Sequence, residues 1–595
     1  MRLKDFSFTG KFNAGKGNSI LLLAFILLLG LGLRFWNLDA KPLWLDEVLT
    51  ALFTMGKSAT DVPLNQFFPL ADLDQIFSFR SGVSCPQLTQ TLIRESVHPP
   101  LFFCLIYRWL SWLQPNSAND SWNWVWAIRS LPALLGVGTI AALYWLNRVA
   151  FSPAAARWGA ALMAVSPFAV YLSQEARHYT LPMLLITLAL VMLVKIQQSP
   201  RQFTPWLWIG WTAVNLTGLY VHYFCLLALI AQIGTIALWM FWQRREILRR
   251  HWVGLGLAIL ALTAGYLPWI PIFLSHMSRP ETDWLIPYKP DWIDRVAPLY
   301  QTVVGWLLMV IALPIEEQPD SIVYLFGSIG LVFALWLGWQ IFKAVRFQWG
   351  NPAMHPPLLL LSGFVGLVLL QFFAIVYLLD KDLTVVPRYN FVYYPAMAAL
   401  LGAVLVNNEG RASKTQTSKD QKIPNRSTPV VLLMIGFLSS VLVVNGVAFQ
   451  KSYRPNVVAQ DMAFEPNKSL ATVVSYRSPQ EIALGLSFAL ELRRQLHEQF
   501  SPEQINDRVR YAFVDRTDGY GAVWRELPQL DQPLPMPLNL WVIASPGMRT
   551  RNYPSRVRLS NPATPNRKAI CPVDPEEFHR VSFPYQLFRC ESRSP

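Results

Sequence analysis

The chain has 595 residues, 53% of them hydrophobic and 15% charged, a balance that a soluble protein of this length cannot keep in solution. The formal net charge of +14 would suit nucleic acid, but the basic residues fall in short links between apolar runs, not on a soluble module with interleaved aromatics. Composition therefore argues for the bilayer as solvent, with membrane lipids and no nucleic acid as partners.

Arg2, Lys4, Lys11 and Lys16 precede an apolar run from Ser19 to Trp36. This start looks like a signal peptide, yet no small-residue cleavage site follows, and Arg34-Phe35-Trp36-Asn37 reads as the end of a retained first span. Residues 1–18 are expected in the cytoplasm. Gly10, Gly15 and Lys16 resemble a P-loop, but Gly17 stands where Ser or Thr would bind magnesium, and no strand comes before it.

A helix needs roughly 20 apolar residues to cross the hydrocarbon. That length places further spans near 127–147, 155–172, 180–196, 204–220, 224–242, 253–274, 321–342, 357–379, 391–407 and 429–449, for about eleven transmembrane helices in all. The loop from Gln243 to His251 carries four arginines and belongs in the cytoplasm. Its placement puts the links Arg148–Arg157, Lys195–Arg201, Lys343–Arg346 and Asn407–Thr428 on the same side. Pro100–Leu113 and Pro298–Leu313 are short, and the first is interrupted by Arg108, so both are expected as interfacial or re-entrant helices.

Two extracytoplasmic pieces result, a first loop at about 37–126 and a tail at 451–595, flanking or following a membrane module at 19–450. Apolar runs at 471–476, 509–514 and 538–544 around a helical stretch at 479–500 give the tail the pattern of a small α/β domain. The fold class expected is an α-helical polytopic membrane protein with a C-terminal extracytoplasmic small α/β domain. Cys571 and Cys590 sit in this tail as a disulfide or as two free thiols. Cys104 and Cys225 lie in apolar segments and read as small buried hydrophobes.

Four places carry candidate chemistry. Trp44-Leu45-Asp46-Glu47 sets two adjacent carboxylates just past the first span, where low dielectric disfavours their charged forms; the plainer reading is a solvated helix start after Pro42. Ser173-Gln174-Glu175-Ala176-Arg177-His178-Tyr179 lies between two spans, on the same side as Asp46, so that the two acidic sites can meet. His98-Pro99-Pro100 opens the first short helix, although His355-Pro356-Pro357 repeats the triplet on the cytoplasmic side. Pro387-Arg388-Tyr389 puts an arginine at headgroup depth, where its fork suits a phosphate or serves as an interfacial anchor.

The order of these motifs, with Arg129-Ser130-Leu131-Pro132-Ala133-Leu134-Leu135-Gly136 between the second and third, resembles the bacterial GT-C glycosyltransferases. The nearest groups are the dolichyl-phosphate-mannose protein mannosyltransferase-like enzymes, including the lipid A aminoarabinose transferases and the RgtA/B/C/D-like group. The resemblance covers roughly residues 18–250 and weakens towards 410. It implies a GT-C fold and an inverting transfer from a polyprenyl-phosphate sugar donor to a lipid, glycan or protein acceptor on the outer face. Asp46 and Glu47 would stand at the reacting centre, Glu175 would be the second acidic residue and Arg388 would hold the lipid phosphate.

Inverting transfer needs a base for the acceptor hydroxyl and a group that stabilises the leaving phosphate. Asp46 suits the first and Arg388 the second, while Glu47, His98, Arg129, Glu175, Arg177, His178 and Tyr389 would orient substrate. Some relatives carry an aspartate shortly after the arginine of the second motif; here Arg177 is followed by His178-Tyr179-Thr180, which leaves a divalent metal cofactor an open question. A multi-span transporter or flippase is the rival reading, but such folds show internal repeats and broken midplane sites, and no repeat is visible.

Overall fold

The structure, a computed structural model, describes residues 14–114, 122–279, 285–286, 291–316, 318–404, 427–462, 465, 467–531, 534–545, 548–559 and 569–591. Gly10, residues 1–13 of the expected cytoplasmic start and residues 405–426, which hold most of the expected link at 407–428, lie outside them. By internal contacts the chain divides into two units, Met1–Leu38 with Pro132–Phe449, and Asp39–Leu131 with Gln450–Pro595.

In the described residues seven helices are long and apolar enough to cross a membrane: Trp124–Ala150, Thr180–Gln198, Cys225–Trp242, Arg249–Met277, Asp320–Gln348, Pro352–Leu378 and Ser427–Val444. A bent pair, Pro153–Ala164 and Pro167–Ser173, turned by 59° at the break, passes the same test as one unit and makes eight if it is one broken span. The chain is a multi-pass membrane protein. Eleven spans are not reached by this measure, because the apolar part of the first helix, Ser19–Phe35, is short and the helix Pro205–Leu219 has 15 residues. Tyr394–Val404 has 11 before the described residues end. Leu21, Leu257, Val332 and Leu370 are exposed, as lipid-facing side chains of such spans are. The short helices Leu101–Leu113 and Trp292–Leu308 overlap the two short apolar stretches, Pro100–Leu113 and Pro298–Leu313, that were expected to stop short of a span.

The break in the bent span follows from Ser166-Pro167. Proline cannot continue the preceding hydrogen-bond ladder, and Ser166 restarts the helix as its N-cap, accepting from the Ala169 amide at 3.3 Å and donating to the Met309 carbonyl at 2.6 Å. Small residues let the neighbouring helix close in: a Cβ on Gly402 would stand 2.6 Å from Gly159 Cα, so Tyr394–Val404 and Pro153–Ala164 meet backbone to backbone.

The second unit is built on a seven-stranded sheet of β1 (Phe67–Phe68), β2 (Ser469–Tyr476), β3 (Val509–Asp515), β4 (Leu538–Ile543), β5 (Arg556–Leu559), β6 (Ala569–Val581) and β7 (Phe583–Cys590), in the order β1-β3-β2-β4-β7-β6-β5. β2 pairs in parallel with both β3 and β4, with Val473 opposite Ala512 and Val542. All its residues but Tyr476 are buried, as a central parallel strand requires. The helix Pro479–His497 makes the crossover from β2 to β3, so close that a Cβ on Gly485 would meet Phe513 at 2.4 Å. The other face holds the core of Val514, Val523, Leu540, Val542 and Phe588. β1 comes from the first loop and pairs antiparallel with β3, Phe67 opposite Ala512. The loop therefore belongs to the same compact unit as the tail.

Two disulfides fasten this unit. Cys571–Cys590 joins β6 to β7, and Cys85–Cys104, with a Cα separation of 5.4 Å, joins the helix Cys85–Glu95 to Leu101–Leu113. The reading of Cys104 as a small packed hydrophobe is corrected here: its segment is one helix face turned towards Cys85, a pairing that apolar composition concealed. Cys225 is free and buried, as expected.

Candidate active site

In the second unit Asp46 and Glu47 occupy the first turn of the helix Leu45–Thr54, where carboxylates favour the positive end of the helix dipole. They have different surroundings. Glu47 is 1% exposed, and Arg129, equally buried, grips it with two bonds, Nε to Oε1 at 2.8 Å and Nη2 to Oε2 at 2.7 Å. Such a fork fixes orientation as well as charge. Arg129 also donates to the Lys41 carbonyl at 3.0 Å and the Pro42 carbonyl at 3.5 Å. One guanidinium thus holds both the helix and the segment entering it. Asp46, by contrast, is half-buried, and its backbone carbonyl accepts from the Thr50 hydroxyl at 2.8 Å.

His98 lies in the turn before the helix Leu101–Leu113, with Nδ1 3.0 Å from the Ser96 hydroxyl. Its ring stands 6.3 Å from Phe103, which stands 6.1 Å from Phe53 of the acidic helix. His98 is linked to that helix through packed aromatics.

In the membrane unit the second motif follows the bent span. Ser173, Gln174, Glu175, Arg177 and His178 are all buried, an expensive concentration of polar groups for a membrane protein and hence a functional pointer. The first helix holds them. Arg34, fully buried, donates to Ser173 Oγ at 3.1 Å, to the Ala164 and Met163 carbonyls at 3.1 Å each, and to Gly30 at 3.0 Å. It satisfies carbonyls that the break at Pro167 leaves without helical partners. Gln174 Nε2 reaches the Trp36 carbonyl at 2.7 Å. Gly136 makes room, since a Cβ there would lie 2.2 Å from Ser173 Oγ.

From this motif a chain of rings leads to Arg388. His178 lies 4.5 Å from His222, His222 lies 4.8 Å from Phe391, and Tyr389 lies 4.8 Å from Phe224. Arg388 stacks over Tyr389 at 5.8 Å and Arg177 over Tyr179 at 5.9 Å. Around His222 the membrane unit so brings His178 and, through Tyr179, Arg177 on one side, and, through Phe224, Tyr389 and Arg388 on the other. His222 Nδ1 accepts the Phe224 amide at 3.0 Å, which leaves the neutral ring's proton on Nε2 as a donor.

Arg34 and His222 escaped the sequence reading. Arg34 was visible as a charge closing an apolar run, and His222 as a histidine between two apolar helices, signals that mark function in a membrane segment. Among the described residues no group of three or more His, Cys, Asp or Glu is gathered closely enough to hold a metal ion.

Comparison with known proteins gives a direct answer for one stretch. Residues 100–269 match the family model of the dolichyl-phosphate-mannose-protein mannosyltransferases. The resemblance to GT-C membrane glycosyltransferases is borne out there. The matched stretch contains Arg129, Glu175, Arg177, His178 and His222, while Asp46 and Arg388 lie on either side of it. No curated protein matches the chain. Among solved structures, ArnT from Cupriavidus metallidurans bound to undecaprenyl phosphate is similar at 14% identity and a TM-score of 0.49, covering 96% of this chain and 98% of that one. An oligosaccharyltransferase from Archaeoglobus fulgidus is similar at 10% identity and a TM-score of 0.43, covering 80% and 65%. The S. cerevisiae protein O-mannosyltransferase Pmt1-Pmt2 complex bound to its sugar donor gives 17% identity and a TM-score of 0.31, covering 44% and 33%. At these scores the likenesses carry nothing about individual site residues.

Proposed function

We propose that the chain is an inverting membrane glycosyltransferase, moving a sugar from a polyprenyl-phosphate donor to a lipid, glycan or protein acceptor on the outer face. The observation that carries this reading is the family match over residues 100–269, which contains the buried polar motif Ser173–His178. Two disulfides in the unit of loop and tail support an oxidising, extracytoplasmic side for it, with the N-terminus in the cytoplasm.

In this mechanism Asp46 takes the proton of the acceptor hydroxyl. The oxygen attacks the anomeric carbon from the face opposite the phosphate, and the bond from that carbon to the phosphate oxygen breaks, its electron pair staying on the lipid phosphate. Arg388 offsets the charge that develops there. Glu47 is a holding group: Arg129 engages both of its oxygens, and its work is to fix the helix. Glu175, Arg177, His178, His98 and Tyr389 orient sugar or acceptor. A donor anchored by its lipid explains a catalyst built into the membrane.

The test is transfer of labelled sugar from a panel of polyprenyl-phosphate donors to membrane acceptors, comparing wild type with Asp46→Asn at matched folded protein. Loss of a general base predicts a fall of about 100- to 10,000-fold. Labelling by Asp46→Asn at the wild-type rate would remove Asp46 from the mechanism, and no labelling by wild type across the panel would favour a transporter of lipid-linked substrate.

A further inference from the structure

The helix that carries Asp46 starts without a cap of its own. Its N-cap residue, Trp44, makes no side-chain capping bond; an indole has a donor and no acceptor, so it cannot receive the orphan amides of the first turn as Ser, Thr, Asn or Asp would. The missing acceptor comes from the far end of the sequence. The Leu45 amide donates to the Tyr453 hydroxyl at 2.5 Å, the Ser487 hydroxyl donates to the Leu43 carbonyl at 2.5 Å, and Lys451 Nζ sits 4.0 Å from the centre of the Trp44 ring. Tyr453 is itself fixed, 9% exposed and edge-on to Phe488 at 6.2 Å and Phe583 at 6.5 Å.

We infer that Tyr453 is a positioning residue for Asp46, and that the tail contributes to transfer by holding the acidic helix. Asp46 stands between two fixed points, the Leu45 amide held by Tyr453 on one side and the Glu47 carboxylate held by Arg129 on the other. Neither holder is next to it in sequence. With both in place the half-buried carboxylate has little freedom to move along the helix axis, which is what a base needs, since misplacement by about 1 Å can cost about 100-fold in rate. This inference rests on Asp46 being the base.

The experiment uses the purified full chain. Tyr453→Phe keeps the ring in its aromatic pocket and removes only the hydroxyl. The expected result is a fall of about 10-fold in kcat per folded enzyme, the size of one lost hydrogen bond, with the KM for donor unchanged. Because Tyr453 acts through Asp46, its effect should shrink when Tyr453→Phe is combined with Asp46→Glu, which already displaces the carboxylate. Ser487→Ala, which removes the anchor on Leu43, gives a smaller loss in the same direction and serves if Tyr453→Phe does not fold. An unchanged kcat in both variants, a loss confined to KM, or factors that multiply in full with Asp46→Glu would each overturn the inference. Wild-type turnover by Asp46→Asn refutes the base assignment itself, whatever Tyr453→Phe does.

Discussion

The Glu47–Arg129 pair offers the sharpest test of how the acidic helix is held. Glu47→Gln keeps the side-chain shape but removes the charge that the Arg129 fork grips; Arg129→Met removes that fork from a carboxylate that is 1% exposed. Removing one partner from a buried pair costs about 3–5 kcal/mol. For a unit of this size each kcal/mol is worth about 2–4 °C, so either single variant should lose about 6–20 °C of thermal midpoint. The double variant strands no charge and should lose less than the sum, with a coupling of about 1–3 kcal/mol. Intrinsic fluorescence of the purified protein in detergent, heated at one fixed scan rate, reads all four midpoints. Single losses within about 0.5 kcal/mol, or a double variant equal to the sum, would mean that the fork does not fix the helix.

Arg34→Leu should strand the Met163 and Ala164 carbonyls at about 1–3 kcal/mol for each group left unsatisfied, seen as a lower thermal midpoint together with reduced transfer; an unchanged midpoint would show that the break at Pro167 needs no external partner. Cys104→Ala opens a loop of sequence separation 19 and should cost about 3 kcal/mol; reductant, which opens Cys571–Cys590 as well, should cost the wild type at least as much. The Lys468 side chain and the Asn539 amide, bonded to Glu465, hold its carboxyl below its ordinary value of 4.5. A depressed folded-state pKa gives stability that is fully present above the unfolded value and fades as pH falls through the folded one. Thermal midpoints should therefore drop with acid below about pH 4.5, and part of that drop should vanish in Glu465→Gln; identical acid profiles would refute the assignment.

Much of the tail fold was legible because its central strands are buried on both faces. The runs at 471–476, 509–514 and 538–544 are mostly apolar, interrupted by Thr472, Ser475, Arg510 and Asn539, and the structure turns them into β2, β3 and β4 with boundaries within a few residues. β5, β6 and β7 were not legible. β6 carries Pro572, Pro575, Asp574, Glu576 and Glu577, which no local strand preference favours, and it exists because β7 and Cys590 hold it in register. β1 is two residues long, and nothing in Phe67-Phe68 indicates a partner as distant as Ala512. The bent span hid for the opposite reason: Ser166-Pro167 sits inside a run apolar enough to pass for one helix, and hydropathy does not register a change of direction.

The candidate site divides in the same way. Residue types that chemistry demands, such as paired carboxylates, an arginine at headgroup depth and a charged patch between spans, stand out locally because apolar sequence surrounds them. The pairings that hold them do not stand out: Arg129 was singled out, but not as the partner of Glu47, 82 residues away, while Tyr453 is 408 from Leu45 and Arg34 is 139 from Ser173. Each is an ordinary interfacial or capping residue until its partner is known. That separation has a mechanistic side. The acidic helix, whose N-cap is Trp44, is held by Tyr453 and by Ser487 of the crossover helix, so its geometry depends on the first loop and the tail being folded together. On the proposed mechanism the Asp46 carboxylate is then positioned only in the complete unit, which ties the chemistry to the assembly of loop and tail, not to the motif alone.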